Sequence, residues 1–500
     1  LTRLDRAIAY IAPTVAARRA AARLQLRAME IAQAYYDGAD QGRRGTSIRR
    51  SGASADTVSA RDLPRLRTGS HDLVRNNPHA KRGIDAIVVN GVATGIAPRF
   101  KRGRDTDRAL EDLARQTLET TAIDVAGVHD YYGLQALALR TTAESGESLV
   151  LRRFTNKLAF PIQFQVLEPD FLDSSRDGAT REGGEIVQGK EFDKSGRCTR
   201  YWLFPEHPGG GTGSVTSLPV PARDVAHIYR VDRPGQVRGI PWLAPVMLRL
   251  SDFDDYENAQ LVRQKIAACF AVFRTGGLSG PPAAPASGSK TIEKVEPGMI
   301  EWLGAGADVK FASPPQVEGY DEYARVSLRA IAAALGLSYE AFTGDLKGVS
   351  FTSGRMGWLE QQRNLDAWRW LMLIPQGCAV MMGWWLEGAR LLGHNVDGVT
   401  VRHTPPRRDM ISPEREVPAL TNARRSGQKS LTDILGETGK DLHEHLDELA
   451  EEQELLDARG IILDSDARKV SAAGLTQARA GQGPLQMPPT GGDDEDLDDE

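Results

Sequence analysis

Few residues in this 500-residue chain are spaced to do covalent chemistry. Gly209, Gly210 and Gly211, followed by Thr212, Gly213 and Ser214, could offer backbone N–H groups to a phosphate. No Lys-Ser/Thr pair follows them and no strand-to-helix context surrounds them, so they predict a flexible hairpin loop. Asp170, Asp173 and Asp177 could be metal ligands, but no His lies near them and neither octahedral nor EF-hand spacing is met, which leaves turn-forming aspartates. His443 and His445 flank Glu444. Two residues apart on a helix they face different ways and do not form HExxH, so they are expected at the surface. Cys198, Cys269 and Cys378 lie far apart with no CxxC pair, suggesting neither zinc nor a disulfide framework and fitting a reducing cytoplasm. No Ser/His/Asp set, Walker loop or carboxylate pair stands in a recognisable context. The sequence therefore argues against an enzyme, and no catalytic residue, metal or cofactor is expected.

The elements around one loop carry more information. From Gly319 to Leu335 the residues Tyr320, Ala324, Leu328, Ile331 and Leu335 recur at helical spacing, with Asp321, Glu322, Arg325 and Arg329 turned away, and Gly336 ends the pattern. After a short helical turn comes TGDLKGVSFTSGR, in which Gly344, Gly348 and Gly354 bracket polar residues and the single Lys347. This predicts an exposed, mobile loop over 343–355. Helical periodicity resumes at Arg355 and meets Pro375, which removes a backbone hydrogen bond and should kink a helix running on to Trp385.

Composition sets the bounds. A hydrophobic content of 41%, with 26% charged residues, is ordinary for a soluble protein with a sizeable core. The longest uncharged run, Trp370 to Leu386, contains Pro375, Gly377 and Gly383, and is short of a membrane span; a buried helix is expected and no membrane partner. The chain opens LTRLDRAIAYIAP without a signal-peptide core and reads as an arm with a truncated start.

In chain order, 1–70 is arginine-rich (Arg18, Arg19, Arg23, Arg27, then Arg43, Arg44, Arg49, Arg50) and reads as a solvated arm folding onto neighbours. Helices follow from Leu66 to Gly91, broken at Asn77-Pro78, and from Asp107 to Ala122. Strand alternation then marks SLVLRRF, PIQFQVLEPDFL, EIVQGKEFD and RCTRYWLF, an α+β body. Pro241 to Phe270 reads as one long helix with Leu243, Val246, Leu250, Phe253, Leu261 and Ile266 on a stripe. Its other surface carries Asp252, Asp254, Asp255, Glu257, Arg263 and Lys265. A Gly/Pro/Ala/Ser insertion precedes a hairpin expected between MIEWLG and DVKFAS. Late in the chain, VDGVTVRHTPP supplies a strand. Three capped helices follow: Pro413 to Ser426, Leu431 to Leu435 behind a Ser430/Asp433 box, and Asp441 to Arg459 with Leu442, Leu446, Leu449 and Leu456 as its stripe. The terminal DDEDLDDE predicts a disordered acidic tail over 471–500.

Several of these blocks together resemble the lambda-type family of tailed-phage portal proteins. The resemblance is carried by PPQVEGYDEYARVSLRAIAAALGLSYEAFTGDL with SFTSGR, by LVRNNPHAKRGIDAIVVNGVATGI, by RPGQVRGIPWLAPV and by SDFDDYENAQLVRQKIAACFAVF, in family order over Leu4 to Val470. Phe351, Thr352, Ser353, Gly354 and Arg355 stand where the family usually has a tyrosine and paired serines before the arginine. The resemblance implies an α+β portal fold in a ring oligomer: wing over 71–240, stem helices over 241–270 and 317–342, β clip over 271–316, tunnel loop over 343–355, long kinked helix and return over 356–407, and crown over 408–470. It implies a dodecameric ring at one capsid vertex of the virion, assembled in the host cytoplasm, through which double-stranded DNA is packaged and ejected. Implied partners are other copies of the chain, the terminase large subunit and later the head-to-tail connector at the clip, and the major capsid and scaffold proteins.

The implied residues are Gly344, Asp345, Lys347, Gly348, Ser350 and Arg355 in the tunnel loop, with Asp252, Asp255, Arg263, Lys265, Arg325 and Arg329 on stem helices near the channel. Gly276, Pro281, Pro282, Lys290, Glu293 and Trp302 are implied for clip docking. The net charge of −5 fits a pore past which DNA slides, since strong phosphate binding would stall it. A non-conducting capsid adaptor is the alternative reading, and loss of the loop would leave packaging intact only under that reading.

Overall fold

The computed structural model describes residues 52–103, 105–210, 216–268, 272–276, 307–311, 319–406, 412–437 and 442–463. The chain divides into two units, 1–61 with 233–235, and 62–232 with 236–500. The described part of the first contains helix α1 (Ala55–Ala60), N-capped by the Ser54 hydroxyl, and Arg233 donating to the Ala53 carbonyl at 3.5 Å.

The second unit opens with α2 (Leu63–Asn76) and α3 (Pro78–Gly91). Asn77 separates them, as its proline neighbour predicts: its Oδ1 accepts from the His79 and Ala80 N–H groups, replacing two bonds missing at the new helix start. Strands β1 (Ala97–Arg102) and β2 (Asp105–Thr106) lead to α4 (Arg108–Leu118), capped by Asp107, and α5 (Tyr131–Ser145). Helix α5 was invisible to the periodicity argument because both its sides are covered: Tyr131, Leu134, Ala138, Leu139 and Ala143 are buried, but so are Gln135, Thr141 and Thr142.

Next come β3 (Glu147–Phe154), β4 (Ile162–Leu167), β5 (Gly178–Ala179), β6 (Glu185–Val187), β7 (Lys190–Phe192), β8 (Cys198–Leu203), β9 (Leu218–Pro221) and β10 (Val225–Tyr229). They form an antiparallel sheet of order β10-β3-β4 and a five-stranded meander from β5 to β9. The stretch EIVQGKEFD, expected as one strand, is two, because Gln188 and Gly189 both adopt positive φ, the geometry of a tight hairpin turn. The glycine-rich segment joins β8 to β9 as a hairpin connection, and its residues 211–215 lie outside the described set. Strand β3 explains its own run of apolar residues. Val150 faces the main core while Leu149 and Leu151 face a second cluster with Leu167, Tyr201 and Val225, so neither face meets water.

Helix α6 (Met247–Ala268) begins later than the sequence stripe predicts, because Pro241 to Val246 form turns that already bury Trp242, Leu243 and Val246. Of its residues through Lys265, Phe253 is the last that is fully buried; Leu261 is 49% exposed, against its expected place on the stripe. Strands β11 (Val272–Gly276) and β12 (Ala307–Phe311) pair antiparallel. The DVKF strand thus pairs with a strand from before the insertion; the hairpin expected with MIEWLG lies outside the described residues.

Helices α7 (Tyr320–Leu335), α8 (Tyr339–Thr343) and α9 (Phe351–Trp368) follow. At Pro375 the helix does not simply break. It continues as a ten-residue π-helical segment, Arg369–Cys378, and then as α10 (Ala379–Leu391), the wider turn accommodating a residue that cannot donate to the preceding turn. Arg369 anchors this segment: Nε donates to the Gly91 carbonyl at 2.6 Å and Nη2 to that of Asn90 at 2.7 Å, closing the C-terminal end of α3. Met372, Leu373, Met381, Met382 and Trp385 are buried as expected, while Trp370 and Leu371 are exposed. Among the described residues no helix is long and apolar enough to cross a membrane.

Strand β13 (Val399–Thr404) pairs with β1 from Ala97↔Thr404 to Arg102↔Val399, tying chain segments about 300 residues apart into one body. Helices α11 (Pro413–Arg425), α12 (Leu431–Glu437) and α13 (Leu442–Ala458) stand where the stop signals put them, with Ser430 and Asp433 exchanging the expected capping bonds.

Candidate functional site

The loop between α8 and α9 is shorter than the glycines suggested. It spans 344–350, because Ser350 and Ser353 form a capping box (Ser353 N–H to Ser350 Oγ, 3.2 Å; Ser350 N–H to Ser353 Oγ, 3.0 Å) that starts α9 at Phe351. Gly354 and Arg355, expected in the loop, are thus the fourth and fifth residues of the helix; Arg355 is exposed. Gly344 and Gly348 occupy left-handed conformations at φ 74° and 80°, which glycine adopts without strain.

Asp345 fixes the base of the loop. Its carboxylate accepts from the Lys347 N–H at 3.0 Å and from the Tyr339 hydroxyl at 3.2 Å, while its own N–H donates to Thr343 Oγ1 at 3.1 Å. The Lys347 backbone bond is the main reason that the Asp345 pKa lies below its ordinary value. Lys347 is exposed, beside Leu346 at 70% exposure, and among the described residues no acid forms a salt bridge with its ammonium group. The arrangement can do no covalent chemistry. It presents one cation on a tether fixed at both ends.

The neighbouring helices divide into buried and open parts. In α7, Ser327, Leu328, Ile331, Ala332 and Leu335 are buried, but Tyr320, expected on that stripe, is 41% exposed. It lies instead nearly parallel to Tyr256 of α6, ring centroids 6.0 Å apart, and donates to Glu257 at 3.1 Å. Arg325 pairs with Asp321 at 3.0 Å, and Arg329 lies 5.4 Å from the Tyr339 ring centroid, at the foot of the loop. Asp252, Asp255 and Lys265 are exposed and Arg263 half-buried. Gly276 is the last residue of β11; Pro281, Pro282, Lys290, Glu293 and Trp302 lie outside the described residues.

A second constellation escaped sequence reasoning. Glu147, the first residue of β3, is fully buried and accepts four hydrogen bonds: from Arg67 of α2, from Arg238 Nε at 2.8 Å, from His227 Nε2 at 2.8 Å and from the Gly239 N–H at 2.8 Å. Burial alone would raise its pKa, but Arg238, the His227 bond and Arg67 together hold it well below the usual carboxylate range. His227 Nδ1 lies 3.2 Å from Lys190 Nζ, which also donates to the Val237 carbonyl at 3.1 Å. With Nε2–H given to Glu147 and Nδ1 accepting from Lys190, the imidazole is neutral; burial first and Lys190 second push its pKa down to about 4. Gly146 and Gly239 let the two backbones touch here, since a Cβ on Gly239 would lie 2.1 Å from the Gly146 carbonyl oxygen. The hub thus joins α2, β3, β7, β10 and the turn leading into α6. Its one sequence signal is a glutamate shortly before the apolar run Leu149–Leu151 of that strand.

The structure also brings together Glu168, Asp170 and His207, a grouping absent from the sequence reading because β8 and its connection return to the 168–170 turn. His207 Nδ1 accepts from the Gly209 N–H at 3.0 Å, so its proton sits on Nε2, 3.3 Å from Glu168, and the ring has no lone pair left for a metal. Asp170 already faces Arg67. Asp173 and Asp177 act as turn residues: Asp173 accepts from Ser175 and Ser217, and Asp177 from the Gln188 N–H at 2.7 Å. His443 is exposed as expected.

A family model described as phage portal protein, lambda family, matches residues 41–369. The chain is 24% identical over 435 residues to a probable portal protein of Halomonas phage phiHAP-1, covering 81% of this chain and 83% of that protein. It is 22% identical over 370 residues to portal protein B of Escherichia phage lambda, covering 64% and 68%. Among solved structures it is similar to a chain in the neck of a native GTA particle computed with C12 symmetry, at 16% identity, TM-score 0.46, and 76% and 94% coverage. It is also similar to an HK97-family phage portal protein from Corynebacterium diphtheriae, at 10% identity, TM-score 0.32, and 69% and 94% coverage.

Proposed function

Since the chain belongs to the lambda family of phage portal proteins, structural proteins rather than enzymes, we propose the following division of labour for its parts. Copies close into a dodecameric ring at one capsid vertex, with 71–240 as the wing against capsid and scaffold proteins and 408–470 as the crown. The region 271–316 is the clip, docking the terminase large subunit during packaging and the head-to-tail connector afterwards. Helices α6 and α7 form the stem, and the 344–350 loop of each copy reaches the channel as a sequence-independent contact to double-stranded DNA.

The observation that carries this reading is the lone exposed Lys347 on a loop whose base is pinned by Asp345 and the Ser350/Ser353 box. If about twelve such lysines each neutralised a phosphate at once, the salt slope would approach roughly −11, a grip tight enough to hold DNA still. A ring whose symmetry differs from the duplex engages only a few at a time, and Asp345 tempers each, so contacts exchange as the duplex advances. Lys347→Glu, or removal of Gly344 to Gly348, is expected to leave rings and procapsids intact while lowering the DNA packaged or retained per particle. Particles that fill and keep genomes at wild-type yield would refute the contact and favour a non-conducting adaptor.

A further inference from the structure

Helix α13 is amphipathic, and its charged side meets its own subunit at an exposed ion pair. Arg108 of α4 pairs with Asp447, and a cleft of about 390 Å³ between the two helices is lined by Arg99, Arg115, His443, Glu448 and Glu451. At 3.6 residues per turn, His443, Asp447, Glu448 and Glu451 fall on one side of α13. Leu442, Leu446, Leu449, Gln453 and Leu456 fall on the opposite side, with the four-three-four-three spacing of a coiled-coil seam and one polar position within it. Within one copy that seam is only partly covered: Leu442, Gln453 and Leu456 are half-buried, but Leu446 is 44% and Leu449 40% exposed. A surface helix ordinarily turns its leucines to the core. Two that stay this exposed in the middle of a seam leave room there for an occupant.

Charge selects it. Residues 442–458 contain seven Asp or Glu and no Lys or Arg, so pairing α13 with another α13 would set like charges along both flanks. The C-terminal half of helix α11 has the complementary character, its acids Glu414 and Glu416 being confined to the first turn. None of its residues is buried, Arg415, Arg424 and Arg425 are exposed, and Val417, 49% exposed, shares a face with Leu420 and Arg424 at i, i+3 and i+7. A seam on one helix and its complement on another make a heterologous interface, the kind that closes a cyclic ring.

We propose that the leucine seam of α13 docks on α11 of the adjacent copy, Leu446 and Leu449 covering Val417 and Leu420 while the flanking acids meet Arg424 and Arg425. This rests on the portal-ring reading and names a contact within it. The test mixes two full-length chains in which Cys198, Cys269 and Cys378 are replaced by alanine, one carrying Leu449→Cys and the other Val417→Cys, assembles them, and oxidises. The expected product is a covalent dimer in the mixture and none from either chain alone; Gln453→Cys with Leu420→Cys is the second pair, should the first disturb folding. In parallel, Leu446→Glu with Leu449→Glu is expected to raise the protein concentration needed for ring formation at least about tenfold, as is Arg424→Glu with Arg425→Glu. Rings that form at wild-type concentration in both acidic variants, or that yield no crossed dimer from either cysteine pair, overturn the docking and leave the portal reading standing. Wild-type protein that forms no rings at any concentration overturns both.

Discussion

His227 is expected to make the subunit acid-sensitive in a pH window set by its burial. Folding holds the ring neutral, with its one proton given to Glu147 and its free lone pair accepting from Lys190. A second proton would break the Lys190 contact. A base whose pKa is depressed by folding is protonated first in the unfolded chain. Its contribution is therefore complete above the unfolded value of 6.5 and is lost as pH falls toward the folded value of about 4. Those two values lie two and a half pH units apart, and at about 1.36 kcal/mol per unit the full loss is about 3 kcal/mol. Glu147 does not contribute above the ordinary carboxylate value of 4.5, because its depressed pKa matters only below it. His403, also depressed by burial, does contribute. The informative measurement is therefore a difference: thermal or denaturant unfolding from about pH 7.5 to 5, wild type against His227→Gln. The glutamine amide can donate to Glu147 and accept from Lys190 without titrating. The variant starts less stable and its disadvantage shrinks with acidification. Parallel curves would show that His227 does not titrate with folding and that the assigned tautomer is wrong.

Two further perturbations test the same geometry. Glu147→Gln leaves Arg238 buried without its counter-charge and Arg67 with only the more distant Asp170, and is expected to cost about 3 to 5 kcal/mol, read as a lowered denaturant midpoint; adding Arg238→Met should recover part of it, and an unchanged midpoint would mean the Arg238 guanidinium is neutralised elsewhere. Ser350→Ala removes the side chain that caps α9 and is expected to cost about 1 kcal/mol, seen as roughly fivefold faster amide exchange confined to the first turn of that helix; unchanged exchange would show that the 344–350 loop is not held by the box.

What could be read from the sequence and what could not separate along a physical line. Helix ends, turns and strand alternation were legible because local bonding decides them: Asn77 before Pro78, Ser430 with Asp433, Gly336 after Leu335. The end of the loop expected over 343–355 was misplaced by five residues because Gly354 looked like loop, whereas the Ser350/Ser353 box outweighs one glycine in an exposed helix turn. The buried hub was illegible because its members, Arg67, Glu147, Lys190, His227 and Arg238, span some 170 positions and no local pattern marks a charge that will be buried. Tyr320, Leu261 and Leu446 kept the spacing of core residues yet are exposed in one copy. Periodicity reports that a face is apolar and is silent on whether the same chain covers it.

The protein puts charge to two opposite uses, and the surroundings of each decide what it can do. In the hub, four donors converge on one carboxylate away from water, where each interaction is strong and losing any partner leaves a costly buried charge. Such a junction resists deformation, and it lies where the sheet, α2 and the turn into α6 meet. At the 344–350 loop the chain instead offers one hydrated ammonium, tempered by Asp345, whose attraction to a phosphate is screened within about a Debye length. Under the proposed channel contact the two conditions would serve together, stiffness coming from charges that water cannot reach and passage of a polyanion from a charge that water never leaves.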